Sequence, residues 1–242
     1  ARRAETAQRK LTELSQSQLD AIVEAVAKAF AAQASALAEM AVQETGFGNA
    51  EDKTAKNLFA SQRVAEAVRG MKTVGILREV PEKKLWEIGV PVGVIAAIIP
   101  STNPTSTVCY KAMIALKSGN AIVFSPHPKA IACTRKAAQI VSEAAQGAGA
   151  PADAVACLSI PSLDACQELM KAWPLRLMLA TGGPGMVKAA YSSGKPALGV
   201  GPGNTPAVID DSADILLAVS SVIHSKSFDN GMMCASEQSV VV

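Results

Sequence analysis

From Val90 onward the chain alternates short, almost unbroken apolar runs with single stretches of helical spacing, and this pattern constrains its fold most. Val92–Ile99, Ala121–Phe124, Val155–Leu158, Leu175–Ala180 and Ala207–Ile209 read as strands. Residues 104–118, 128–147, 162–172, 184–193 and 213–223 read as the helices between and after them. A strand that is apolar at nearly every position has to be covered on both faces. Strands joined one at a time through helices run parallel. The pattern therefore predicts an α/β fold around a doubly wound parallel sheet. Ligands in such sheets bind beyond the carboxyl ends of the strands, so the residues after each strand are the ones to read for chemistry.

The preceding region is different. Residues 4–45 are alanine-rich, with apolar residues at helical spacing through Leu19, Ile22, Val23, Val26 and Phe30, and Ser17 with Asp20 as the expected cap. Gly46-Phe47-Gly48-Asn49 breaks the run, and a second helix is expected over residues 51–68. Two extended stretches, Val74–Val80 and Lys84–Ile88, meet across Pro81-Glu82 and predict a hairpin arm. The arm has no local sheet to join, so a partner subunit is expected to complete it.

The strand ends carry unusual residues. After the first strand comes Pro100-Ser101-Thr102-Asn103-Pro104, where the proline can open a helix. The Asn103 amide can then either cap that helix or donate to a developing oxyanion. Ser125-Pro126-His127-Pro128 makes a rigid turn after the second strand, and a surface role is the default for its histidine. Thr181-Gly182-Gly183-Pro184-Gly185 opens a helix after the fourth, where bare backbone and the helix N-terminus favour phosphate. Its spacing is not the usual dinucleotide fingerprint. Gly199-Val200-Gly201-Pro202-Gly203 reads as a tight connection. Lastly, Phe228–Gln238 puts Cys234 on a glycine-containing turn. A lone cysteine in an apolar chain is ordinarily a small buried hydrophobe, but a thiol presented by a turn can attack a carbonyl as the thiolate.

Composition excludes several partners. With 23 basic against 21 acidic residues and no basic block, the chain offers no footprint for nucleic acid or an anionic membrane. Only 4% of residues are aromatic, too few for a base-stacking platform. The longest apolar run, Val90–Pro100, is too short to cross a bilayer. The cysteines at 109, 133, 157, 166 and 234 are odd in number and form no Cys-x-x-Cys pair, and no histidine stands at metal spacing. Free thiols in a reducing cytoplasm and no metal site are expected. Because the sequence opens on Ala1, a trimmed N-terminus is expected too.

Four ordered segments together carry a family resemblance: Ile99–Thr105, Asn120–Pro128, Leu179–Pro196 and Phe228–Gln238. From about Ser17 to Val242 the chain resembles the aldehyde dehydrogenase superfamily. It is most similar to the coenzyme A-acylating branch, including the aldehyde dehydrogenase half of bifunctional aldehyde–alcohol dehydrogenases. The resemblance implies a Rossmann-like nucleotide-binding domain over residues 91–225, preceded by helices (1–72) and the arm (73–90). Residues 226–242 would begin the catalytic domain. It further implies Cys234 as nucleophile and Asn103, with the Cys234 backbone amide, as oxyanion donors. Ser125 and Pro126 would lie near the adenosine of NAD, and Thr181, Gly182 and Gly183 near its diphosphate and nicotinamide. A small aldehyde and coenzyme A would be the partners, in a homodimer or homotetramer. A cytoplasmic setting is implied, with enclosure in a bacterial microcompartment left open.

One departure from the wider family separates two activities. Hydrolytic members use a glutamate to activate water, and the alignment puts Val200 or a neighbour there, with no carboxylate between Gly185 and Asp210. A thiol needs less activation than water at neutral pH, so release as acyl-CoA is expected. The other readings are a hydrolytic enzyme and a non-catalytic nucleotide-binding or assembly fragment. Structural roles are expected for the remaining candidates. These are core positions for the other four cysteines, a dipole partner in His224, a helix cap in Asp210 or Asp211, packing for Trp86 and Trp173, and loop orientation for Glu237.

Overall fold

A computed structural model describes residues 1–242. The alanine-rich run forms three helices rather than one: α1 (Arg2–Leu11), α2 (Gln16–Ala31) and α3 (Ala34–Thr45). The cap is Ser15, not Ser17. Its hydroxyl accepts from the Gln18 amide while the Gln18 side chain accepts from Ser15 N, so a reciprocal box closes the first turn. Asp20 instead holds Gln16 and Lys117. Gly46 ends α3 in the left-handed region at φ 70°. Next come α4 (Ala50–Leu58), a π turn at Phe59–Arg63 and α5 (Val64–Val68).

The arm forms as β1 (Gly75–Val80) and β2 (Leu85–Gly89), an antiparallel pair that joins no other strand. Ile76, Leu77, Leu85, Trp86 and Ile88 on it are all exposed. Within this single chain neither tryptophan is buried. Trp86 stands opposite Glu79 on the isolated pair, and exposed Trp173 lies under the Arg176 guanidinium, 4.6 Å from the ring centre.

The main sheet consists of β3 (Val94–Ile98), β4 (Ala121–Ser125), β5 (Val155–Cys157), β6 (Leu175–Thr181) and β7 (Ala197–Val200). All its pairings are parallel, in the order β5-β4-β3-β6-β7. Connecting helices are α6 (Pro104–Lys117), α7 (Ile131–Gly147), α8 (Leu163–Lys171) and α9 (Pro184–Tyr191). The chain winds outward from β3 to β5, then returns to place β6 on the other side of β3. Right-handed crossovers put the helices of the two halves on opposite faces. Every residue of β3 and β4 is buried, as their unbroken apolar runs require.

Two expectations near the end are corrected. The fifth strand of the sheet is β7, whose last two residues belong to the expected tight connection. Its four residues alternate half-buried and exposed, and Gly199 lies at its centre, so it lacks an apolar run. The segment read as Ala207–Ile209 is instead β8 (Thr205–Val208), which leaves the main sheet and pairs in parallel with β9 (Glu237–Val241). Between them lies α10 (Ile215–Ser227), capped by Asp214 rather than Asp210 or Asp211. Asp210 closes the preceding turn by accepting from Ser212. His224 does fall in the last turn of α10.

Candidate active site at the strand-order reversal

The order in which the chain adds strands reverses between β3 and β6, so their following loops diverge and leave a crevice. A cavity of about 360 Å³ opens there. Its walls are Pro100–Asn103 after β3, Thr181–Gly183 after β6, Val200–Gly203 after β7, and the Gly231–Cys234 turn. Cys234, Asn103, Thr181, Gly182 and Gly183 thus meet in one place. Ser125 and Pro126 do not line this cavity. They line an adjoining one of about 180 Å³, which shares Pro100, His127 and Thr181–Gly183 with the first.

The Cys234 turn is unusual in its backbone. Asp229, Asn230 and Gly231 have successive φ values of 52°, 56° and 74°, and L side chains seldom adopt that region. Three such residues in a row need outside support, and Asp229 supplies it from a fully buried position. Its Oδ1 accepts from Asn49 N at 3.0 Å, and its Oδ2 accepts from Lys53 Nζ at 2.9 Å and also from Lys56 Nζ. Its own N–H donates to Asp52 Oδ2 at 2.7 Å. The first turn of α4 and its two lysines therefore enclose this carboxylate. Gly48 is required by the same contact: it has φ 70°, and a Cβ there would fall inside the Asp229 carboxylate.

Cys234 itself is exposed, whereas Cys109, Cys133 and Cys166 are buried and Cys157 is half-buried. Burial pushes the Cys157 thiol up to about 12 and raises the Cys109 and Cys133 thiols as well, which keeps them protonated and unreactive. The Cys234 carbonyl accepts from Gly203 N at 3.0 Å, and a Cβ on Gly203 would come within 2.7 Å of that oxygen. The glycine loop after β7 thus packs against the backbone of the turn.

Asn103 occupies the N-cap position of α6, but its side chain makes no capping hydrogen bond. Its carbonyl accepts from Thr107 N and Oγ1, and Pro104 begins the helix. The side chain is spent differently. Oδ1 accepts from Lys56 Nζ, and Nδ2 donates to Thr102 Oγ1 at 3.2 Å.

Three residues at the site had no signal strong enough to be read in advance. Lys53 and Lys56 lie one turn apart on α4, far in sequence from the strand ends, and Asp229 is paired with them across more than 170 positions. The positive-φ Gly48 just before that helix is the one local hint. Tyr110 on α6 is a fourth such residue. Burial raises its phenol above the ordinary value, the nearby Thr181 hydroxyl lowers it, and the neighbouring Cys234 raises it further. His127 lines both cavities, with Nδ1 accepting from Lys129 N; burial and then Lys129 lower its pKa.

The family model for the aldehyde dehydrogenase family matches residues 1–242, the whole chain. The chain belongs to the aldehyde dehydrogenase family. It is 53% identical over 240 residues to the bifunctional aldehyde-alcohol dehydrogenase AdhE of Escherichia coli K12, covering 99% of this chain and 27% of that protein. A crystal structure of an acetylating aldehyde dehydrogenase from Geobacillus thermoglucosidasius superposes with a TM-score of 0.96 at 57% identity, covering 98% of this chain and 52% of that one. A propionaldehyde dehydrogenase from Rhodopseudomonas palustris, solved with bound CoA and an acylated cysteine, is similar at TM-score 0.85 and 33% identity, covering 98% and 54%. The chain therefore spans about a quarter of the bifunctional relative and about half of the two solved aldehyde dehydrogenases.

Proposed function

We propose that this chain carries the nucleotide-binding part and the nucleophile of an enzyme that oxidises a short aldehyde and releases it as an acyl-CoA. The observation that carries the reading is the composition of the 360 Å³ cavity. It brings Cys234 and Asn103 together with bare backbone, and Val200 lines it while no carboxylate does. In this reading the Cys234 thiolate attacks the aldehyde carbonyl. The Asn103 amide and the Cys234 backbone N–H stabilise the oxyanion of the thiohemiacetal, an interaction whose loss costs about 10²–10³ in rate in acyl-transfer enzymes. Collapse of that adduct with loss of hydride leaves a thioester on Cys234. Without a carboxylate to activate water, the thioester persists until the thiol of coenzyme A takes the acyl group.

A nicotinamide dinucleotide, NAD in our assignment, supplies the hydride acceptor when bound. The residues present suit it. Gly183 has open space where a Cβ would stand, so a ligand can reach the backbone at the start of α9. In the same assignment Ser125 and Pro126, which line the adjoining cavity, would contact the adenosine. The exposed apolar arm supports assembly of the enzyme as a homo-oligomer.

The test follows NADH formation from a short aldehyde by the complete protein, with and without coenzyme A and with Cys234→Ala beside it. Sustained turnover should require coenzyme A and vanish in the variant. Equal turnover without coenzyme A would mean that water is activated at this site, and the enzyme would be hydrolytic.

A further inference from the structure

An oxyanion donor works only if its amide presents nitrogen, not oxygen, to the developing charge. For Asn103 the choice between the two is set by Lys56. An ammonium has three donors and no acceptor, so its partner on the amide has to be the oxygen. The Lys56–Asn103 Oδ1 hydrogen bond therefore turns Nδ2 away from the lysine and fixes the flip. Lys53 holds the neighbouring residue in the same manner, donating to the Thr102 carbonyl at 2.8 Å. Both ammonium groups are in turn anchored on the single oxygen Asp229 Oδ2. Asp229 is also the first residue of the left-handed turn that leads to Cys234.

We infer that Lys56, anchored by Asp229, is the positioning residue that presents the Asn103 amide nitrogen to the oxyanion. Through the same carboxylate, the two halves of the oxyanion hole, the Asn103 side chain and the Cys234 backbone, are held in mutual register. The inference rests on the acylation chemistry proposed above. It goes further by assigning a role to a charge cluster that does not line the cavity. Lys56 is mostly buried, and desolvation lowers its pKa against the opposing pull of Asp229. Its ammonium has these partners and little water.

The experiment is a double-mutant cycle in the complete protein, reading the single-turnover burst of NADH and the dinucleotide Kd. Lys56→Met removes the donor while Lys53 still pairs with Asp229. It should slow the burst about 10–100-fold, less than the outright loss of one oxyanion donor costs, with Kd unchanged. In an Asn103→Ala background the same change should have almost no further effect, because the group it positions is gone. Lys56→Gln, which can still donate to Asn103 Oδ1, should recover part of the lost rate. An equal loss from Lys56→Met in both backgrounds, or a burst as fast as wild type, would overturn the inference. Sustained wild-type turnover that needs Cys234 but not coenzyme A would change the product assignment and leave this inference standing. A wild type with no Cys234-dependent burst would remove both.

Discussion

Helices α6 and α10 are similar in length and both rich in aliphatic residues, yet they end in opposite situations. In α6, Val108, Cys109, Ala112, Met113 and Leu116 are all fully buried, between the sheet and the helices packed over it. In α10 no residue is buried, and Leu216 and Leu217 are 84% and 67% exposed. The strands beside them differ in the same sense. β3 has a neighbour on each side, whereas β8 and β9 have only each other, and Val208, Val240 and Val241 are exposed. A parallel pair open on its faces is not a stable unit. Apolar content thus fixes what an element needs, and packing decides whether the need is met. The α6 region is a finished core, while the α10 region presents an apolar surface that calls for further cover.

The Asp229 cluster ties the two regions together, and breaking it should have the largest effect. Asp229→Ala would leave Lys53 and Lys56 buried without their counter-charge. The loss of stability should be about 3–5 kcal/mol, as when one partner of a buried pair is removed. Urea unfolding measures it. A change below about 1 kcal/mol would mean that the two regions are not coupled through this carboxylate.

A pair of leucines a hundred positions apart tests the contrast directly. Leu116→Ala in α6 opens a cavity in a fully buried layer and should cost about 2–5 kcal/mol. Leu216→Ala in α10 should stay within about 0.5 kcal/mol in the 242-residue chain. If the surface of α10 is covered in the complete protein, Leu216→Ala should become costly there. Equal costs for the two in the short chain would sink the comparison.

The dryness of the α6 region also has a pH signature. Lys111 Nζ lies between the carbonyls of Ile98 and Leu179, and burial lowers its pKa to about 7. In the unfolded chain a lysine titrates near 10.4. Between these values the unfolded state binds more protons than the folded one, so this residue makes stability rise with pH, with a slope approaching about 1.4 kcal/mol per pH unit. The burial penalty is full below pH 7 and is relieved as pH climbs toward 10. Unfolding free energies of wild type and Lys111→Met across pH 6.5–9.5 should diverge accordingly. Parallel curves would place the pKa of Lys111 outside that window.

The same contrast explains what could be read from the sequence. β3, β4 and β6 were legible to within about two residues because burial on both faces demands unbroken apolar runs. β7 was not, since Ala197-Leu198-Gly199-Val200 pairs with β6 without such a run. The β8–β9 pairing was also hidden, because nothing local in Thr205–Val208 points to a partner at Glu237–Val241. At the site, Asn103 and Cys234 stand in motifs that could be recognised. Lys56 and Asp229 were invisible because a long-range ion pair leaves no spacing to find. Helix starts fall between these cases: Ser15-x-x-Gln18 is a readable box two residues before the expected cap at Ser17.

Those starts provide the smallest and sharpest comparison. Ser15 caps α2, whose Leu19, Ile22, Val26 and Phe30 belong to the central core. Asp214 caps α10 by accepting from Leu217 N at 3.0 Å, and that helix buries nothing. Each cap is worth about 1 kcal/mol to its own helix. Where the loss is felt should differ. Unravelling the first turn of α2 pulls core residues with it, so Ser15→Ala should lower global unfolding stability by about that amount. α10 can fray without disturbing the core, so Asp214→Ala should leave global unfolding unchanged in the 242-residue chain. Its effect should appear as faster amide hydrogen exchange confined to α10. Equal shifts in global stability from the two substitutions would show that α10 unfolds with the core, and that the division between finished and unfinished regions is only geometric.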